Sequence, residues 1–231
     1  MPTDPRRSPA QTDEDARAVL RDPLVRAVRR EARRIMAAGK GSHGFDHVER
    51  VLALALRLGA ESGAELRELA LAALLHDVGR AQEDRGGSCH AAAGATLARE
   101  ILLRHGAEAG LARRVARSVR SHRFRGAPRP VSREAKLLFD ADKLDSLGAV
   151  GVGRAFLFAG EIGARLHNSP AAARRARAYG RGDTAFREWL VKLRHLPGHL
   201  LTPAGRRLAA GRAAFAAAFF RRFDDEVAGK Q

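Results

Sequence analysis

Cysteine is nearly missing: the 231 residues hold one, Cys89, so no disulfide can form within the chain and a reducing compartment suits it. Aromatic residues make up 5%, with one Trp and one Tyr. That scarcity of bulky strand formers argues against a sheet-built core. It also leaves few rings for stacking on bases, and no helix-turn-helix pattern stands out. No run approaches the roughly 20 apolar residues needed to span a bilayer. The opening residues, MPTDPRRSPAQTDEDA, are polar and lack the apolar centre of a secretion signal. These absences predict a cytoplasmic protein with no membrane partner.

Ala, Leu and Arg dominate instead, and hydrophobic residues reach 45%, enough for a substantial core. Strong helix formers and few strand formers together predict an all-α fold. Lys and Arg outnumber Asp and Glu by 42 to 26, giving a formal charge of +16 and a pI near 11.5. Clustered arginine would indicate a nucleic-acid surface. Here the arginines are scattered over nearly every segment, which favours a solvated basic surface, and the average field favours small anionic substrates.

Residues 1 to about 20, rich in Pro, Asp and Arg, read as a disordered tail. Helical spacing begins near Pro23 (Leu24, Ala27, Val28, Ile35), and Gly39, Gly41 and Gly44 close that helix. Further helices are predicted from about Asp46 to Glu61, Glu65 to Gly79, Ser88 to Gly106, and Glu108 to His122. Ser132 caps the next, and GAVGVG interrupts or bends it. Two more helices, roughly 183–195 and 203–226, end the chain. Residues 21–227 are therefore expected to form one helical domain.

Ionisable residues on these helices carry the chemical information. Positions i, i+3, i+4 and i+7 share a face. His47 aligns with Val51, Leu54 and Leu58, and Asp77 with Leu66, Ala70, Ala73 and Leu74. His76 lies at the edge of that second stripe. His90 aligns with Gly94, Leu97 and Ile101, and His122 with Leu111, Val115 and Ser118. One inward histidine is ordinarily a satisfied core residue. Four beside an inward aspartate are another matter, because an unpaired buried carboxylate costs several kcal/mol. Imidazole with carboxylate suits a divalent transition metal such as Mn, Fe, Co, Ni or Zn, with Mg as a further candidate. The segment DADKLD offers ligands from the opposite side. Helix geometry narrows the choice to Asp142 or Asp145, while Asp140 points elsewhere and reads as a solvated acid.

The ordered set of His47 in SHGFDHVERV, His76-Asp77 in ALLHDVG and Asp142 in DADKLDSLGAVGVGRAF resembles the HD-domain phosphohydrolase superfamily, particularly its small stand-alone bacterial members. The later segments FREWLVKL, LTPAGRRLA and GRAAFAAAFFRRFDDE are similar to the C-terminal helices of that subgroup. The resemblance implies an HD-type helical bundle, with its metal-binding core at about 45–160 and additional C-terminal helices at about 183–226. It implies one divalent ion held by His47, His76, Asp77 and Asp142, selecting Asp142 over Asp145. His90 and His122 fall where two-metal relatives carry extra histidines. They are expected to hold a second ion or to contact phosphate or a bridging water.

In this reading Asp77 both ligates the ion and orients water, with Asp145 in support. Arg50 and Lys143 are phosphate-binding candidates, and Glu83 and Asp84 are weaker acid or base candidates. The implied activity is hydrolysis of a phosphate ester or anhydride by metal-activated water, on a nucleotide, of pyrophosphohydrolase or nucleotidase type. Alarmone hydrolases carry two acids soon after their His-Asp pair; in HDVGRAQED the acids come later. The Gly-Tyr-Pro signature of cyclic-dinucleotide enzymes is absent, since Tyr179 is followed by Gly180 and Arg181. The extra histidines keep a two-metal phosphodiesterase as an alternative. Two other classes are a nucleotide-sensing module without turnover and a basic nucleic-acid-binding protein. Oligomeric state is not legible.

Overall fold

A computed structural model describes residues 9–37, 44–80, 89–123 and 128–230, and among these the chain is helical with no strand. Gly39, Gly41, Glu83, Asp84 and Ser88 lie outside the described residues. The chain divides into two compact units, residues 1–142 and 143–231, each described by itself.

The first unit contains α1 (Pro9–Arg21), α2 (Pro23–Ile35), α3 (Phe45–Ser62), α4 (Leu66–Leu75), α5 (His90–Arg104), α6 (Ala109–Ser121) and most of α7 (Arg133–Leu144). The segment read as a tail is therefore helical from Pro9, and α1 packs against α2, α3 and α4. Composition pointed to disorder there, but neighbours supply burial that a short polar helix lacks alone. Asp22 separates α1 from α2 and caps the latter, accepting from Val25 N at 3.1 Å ahead of Pro23 at the first helical position.

At the centre stands α4. Every side chain from Leu69 to Leu75 is shut off from solvent, as befits a helix apolar on all sides. Against it pack α3, with Val48, Val51, Leu52, Ala55 and Leu58 buried, α6, with Val115 and Val119, and α2, with Val25 and Val28; Ile101 and Leu102 of α5 and Leu137 and Leu138 of α7 are buried in the same unit. Glu68 is the one acid buried on α4, and Arg114 of α6 holds it at 2.6 Å. Ser132 caps α7 as expected, accepting from Ala135 N at 3.0 Å. Arg133 of the same helix reaches the Gly63 carbonyl, at 2.7 Å, where α3 ends.

The turn after α4 meets α5 at backbone distance. A Cβ on Gly79 would stand 2.4 Å from the His90 carbonyl oxygen and 2.5 Å from Gly94 N. Only glycine lets the two segments approach so closely.

The second unit holds α8 (Gly148–Glu161), α9 (Pro170–Arg175), α10 (Ala185–Val191), a 3-10 helix (Leu193–His199) and α11 (Pro203–Val227). The expected interruption falls before Gly148, whose φ of +73° turns the chain at the start of α8; the rest of GAVGVG is helical. Phe156, Phe186, Trp189, Phe219, Phe220 and Phe223 form one aromatic cluster, with Trp189 stacked on Phe220 at 5.1 Å. The few rings are thus concentrated where α8, α10 and α11 meet. No described helix is long and apolar enough to cross a membrane.

Gly79→Ala is expected to destabilise the protein by about 1–3 kcal/mol through overpacking. Gly153→Ala, with nothing within 4 Å of its Cβ, should be neutral or stabilising by about 0.5–1 kcal/mol. Urea denaturation of the two variants checks the contrast.

Candidate metal centre

Four helices of the first unit and the turn after α4 converge their polar side chains on one interior region. His47 lies in the first turns of α3, and His76 is the C-cap of α4 with Asp77 next to it. His90 opens α5, His122 follows the last residue of α6, and Asp142 sits in the last turn of α7. His47, His76, Asp77, His90 and His122 are buried, whereas the Asp142 side chain retains 16% exposure. The five inward assignments made from helical spacing meet here, together with Asp142, which the family resemblance had singled out over Asp145.

The side chains form two groups whose ligand atoms lie within 4.8 Å of one another: His47, His76 and Asp142, and Asp77, His90 and His122. In the first, His47 Nε2 stands 3.3 Å from His76 Nε2 and 3.4 Å from Asp142 Oδ1. Asp77 faces both groups. Its Oδ2 is 3.9 Å from His47 Nε2 and 3.7 Å from His76 Nε2, while its Oδ1 is 3.6 Å from His122 Nε2 and 3.7 Å from His90 Nε2.

These distances suit a shared cation. Ligands about 2.0–2.2 Å from one ion, at tetrahedral or octahedral angles, stand about 3–3.6 Å apart. Tautomers agree as well. His76 Nδ1 donates to the Ala73 carbonyl at 2.8 Å and His122 Nδ1 to the Val119 carbonyl at 2.6 Å. With Nδ1 as the donor, each ring turns its Nε2 toward the interior, as a metal-binding histidine held by a backbone carbonyl does. The donor set of imidazole and carboxylate fits a divalent transition metal.

Electrostatics reinforce this. Burial pushes the His76 pKa down to about 4, with Asp77 opposing, so the ring is neutral at pH 7. Burial works against the charge of Asp77, but His76 and then Arg80 outweigh it and hold the carboxyl well below its ordinary range. The site thus sets an anionic carboxylate beside the neutral ring of His76.

Arg80 escaped the sequence reading. It spans both oxygens of Asp77, with Nε 3.1 Å from Oδ2 and the Nη2 nitrogen 3.3 Å from Oδ1. Its position three residues after Asp77 was the available signal. A second missed contact is Arg123, which donates to Cys89 Sγ at 3.1 Å beside His90. Among the expected phosphate binders, Arg50 pairs with Asp46 at 2.6 Å. Lys143 and Asp145 belong to the second unit. Asp145 is buried and accepts from Arg154 at 3.0 Å. Asp140, expected in solvent, is fully buried, because α7 is enclosed on more than the stripe marked by Leu138.

Comparison with known proteins places this geometry. The HD domain family model matches residues 44–147. The Bacillus subtilis protein YpgQ is 31% identical over 199 residues, covering 84% of this chain and 89% of YpgQ. A crystal structure of YpgQ in complex with ADP superposes with a TM-score of 0.70 at 26% identity, over 88% of this chain and 94% of that one. A "predicted HD superfamily hydrolase" from an uncultured Thermotogales bacterium gives a TM-score of 0.62 at 26% identity, over 90% of this chain and 92% of that one. With the fold, the ordered His and Asp residues and these likenesses in agreement, the chain belongs to the HD superfamily of metal-dependent phosphohydrolases.

Proposed function

We propose that this protein hydrolyses a nucleotide phosphoanhydride or phosphate ester, as a pyrophosphohydrolase or nucleotidase, with a divalent ion held by His47, His76, Asp77 and Asp142. The observation that carries the reading is the convergence of lone pairs and an anionic carboxylate in a buried space. A nucleotide is favoured by the complex of YpgQ with ADP and by the basic composition. When bound, the ion supplies Lewis acidity towards a phosphoryl oxygen and a source of nucleophilic water at neutral pH.

The chain's own residues do the rest. Asp77 accepts a hydrogen bond from water lying near its carboxylate and so orients it, and Arg80 keeps that carboxylate in place. Arg50, one turn beyond His47, anchors phosphate by exchanging its Asp46 partner for a substrate oxygen. Lys143, next to Asp142 in the chain, is proposed as a second anchor, and Asp145, fixed by Arg154, supports the end of α7. In-line positioning and charge neutralisation are the main demands of phosphoryl transfer.

The group Asp77, His90 and His122 supports a second reading, in which these residues would hold a second ion and the substrate range would extend to phosphodiesters. Metal analysis separates the two. With one ion, His90→Ala/His122→Ala leaves stoichiometry at one and lowers turnover; with two, stoichiometry falls from two to one.

A phosphate-release screen across nucleotides with Mn, Co, Ni and Mg tests the activity itself. His76→Ala and Asp77→Ala are expected to lower release by about a thousandfold while circular dichroism shows the fold retained. Full turnover in both variants rules the site out.

A pH effect on the metal-free protein follows from His76. Its folded pKa of about 4 lies below the ordinary value of about 6.5. Between these values the unfolded chain binds the extra proton. This residue therefore lowers stability as pH falls from 6.5 towards 4, by at most about 1.4 kcal/mol per pH unit, and contributes nothing above that window. Urea midpoints in EDTA should show a shallower acid loss for His76→Leu than for wild type.

A further inference from the structure

Between residues 162 and 182 the chain carries five arginines and no acid. Arg165, Arg174, Arg175, Arg177 and Arg181 are all exposed, and among the described residues none of them is ion-paired. The segment is knotted into one surface. Arg165 N donates to the Arg181 carbonyl at 2.8 Å, Asn168 Nδ2 to the Gly182 carbonyl at 2.9 Å, and Arg187 Nε to the Ala176 carbonyl at 3.1 Å. Of the two acids that flank the segment, Glu161 is exposed, and Asp183 is buried and occupied by Tyr179 N and Arg187 at 2.7 Å each. Among the described residues, five unpaired guanidinium groups thus lie on one chain segment, and a further carboxylate set against it, Asp224, stands 3.1 Å from His167 Nε2 rather than on an arginine.

Tyr179, the chain's single tyrosine, lies between Arg177 and Arg181 in the chain with 76% exposure. It is the only described non-glycine residue with positive φ, at 61°. That left-handed backbone is uncommon for a bulky residue, and here the Asp183 carboxylate clamps it. The ring meets Phe158 edge-on, with centroids 5.9 Å apart and planes at 75°. One edge is held by the protein, and most of the ring lies open to solvent.

We propose that this face binds single-stranded nucleic acid, with the Tyr179 ring stacking on an unpaired base and the surrounding arginines contacting consecutive phosphates. Each half of the surface meets one need of such a ligand. A sequence-tolerant contact needs a held aromatic face, and the backbone needs uncompensated cations. A duplex keeps its bases stacked inside and offers the ring nothing. A bilayer rewards long apolar side chains, whereas the segment is chiefly Ala and Gly, with Leu166 alone as an exposed aliphatic. The binding is separate from turnover, because none of these residues belongs to the metal centre.

Fluorescence anisotropy with labelled 12-nucleotide oligo(U) and oligo(dT) tests the proposal, with a 12-base-pair duplex and phosphatidylserine-containing vesicles as competitors. Wild type should bind both single strands more tightly than duplex. The slope of log Kd against log salt should be between about 2 and 3.5, from about 0.7 per phosphate contacted. Tyr179→Asn keeps a residue that accepts left-handed backbone; it should weaken binding about tenfold without changing the salt slope. Arg174→Glu/Arg177→Glu/Arg181→Glu should abolish binding at about 0.1 M salt, while both variants keep wild-type phosphate release. Absence of binding, equal affinity for duplex with no effect of Tyr179→Asn, or displacement by vesicles but not by unlabelled strands would each overturn it. Tyr179→Asn decides the matter alone if the triple variant fails to fold.

Discussion

A buried anion must be met by positive charge, and the placement of Asp77 makes that requirement the organising constraint of the first unit. Its carboxylate is enclosed by apolar helices, where an uncompensated charge would cost several kcal/mol. Arg80 supplies part of the answer from the next turn. Two of the four histidines around Asp77 are held so as to face a cation. Backbone carbonyls take the Nδ1 protons of His76 and His122, so their remaining nitrogens can face a cation. The surrounding helices are therefore a device for holding lone pairs still.

Packing produces that arrangement at two levels. The all-apolar α4 occupies the centre, so its C-terminal end delivers His76 and Asp77 to the interior rather than to the surface. Gly79 then allows the following turn to touch α5 at the His90 carbonyl and at Gly94, which sets His90 beside Asp77. His47 and Asp142 arrive from α3 and α7 and meet at 3.4 Å. No one segment contains the site; it exists only when α3 to α7 are docked.

Much of this was legible in the residues. Helical periodicity placed His47, His76, Asp77, His90 and His122 inward, and their burial agrees, because a buried face must recur every three or four residues whatever its chemistry. What stayed hidden depends on contacts distant in sequence. The choice between Asp142 and Asp145 is invisible to periodicity, since the two are one turn apart on one predicted face; in the structure Asp142 faces His47, and Asp145, just past α7, pairs with Arg154. Asp140 was read as solvated because a single stripe cannot reveal a helix enclosed on two sides. Helix α1 was masked by its polar composition, and the role of Tyr179 by the scarcity of aromatics, which says how many rings exist but not how they are presented.

The same uneven distribution separates the two units chemically. The first concentrates imidazole and carboxylate in its interior; the second gathers its rings into a core and leaves arginine outside. A nucleotide and a longer phosphate chain share the anionic groups that such a molecule attracts, so one basic protein has reason to carry both a reactive interior and a cationic face. The most direct measurement is anomalous diffraction from crystals grown with manganese. The predicted result is a peak enclosed by His47, His76, Asp77 and Asp142. Crystals without a peak there, with these imidazoles bonded to one another, would contradict a metal centre.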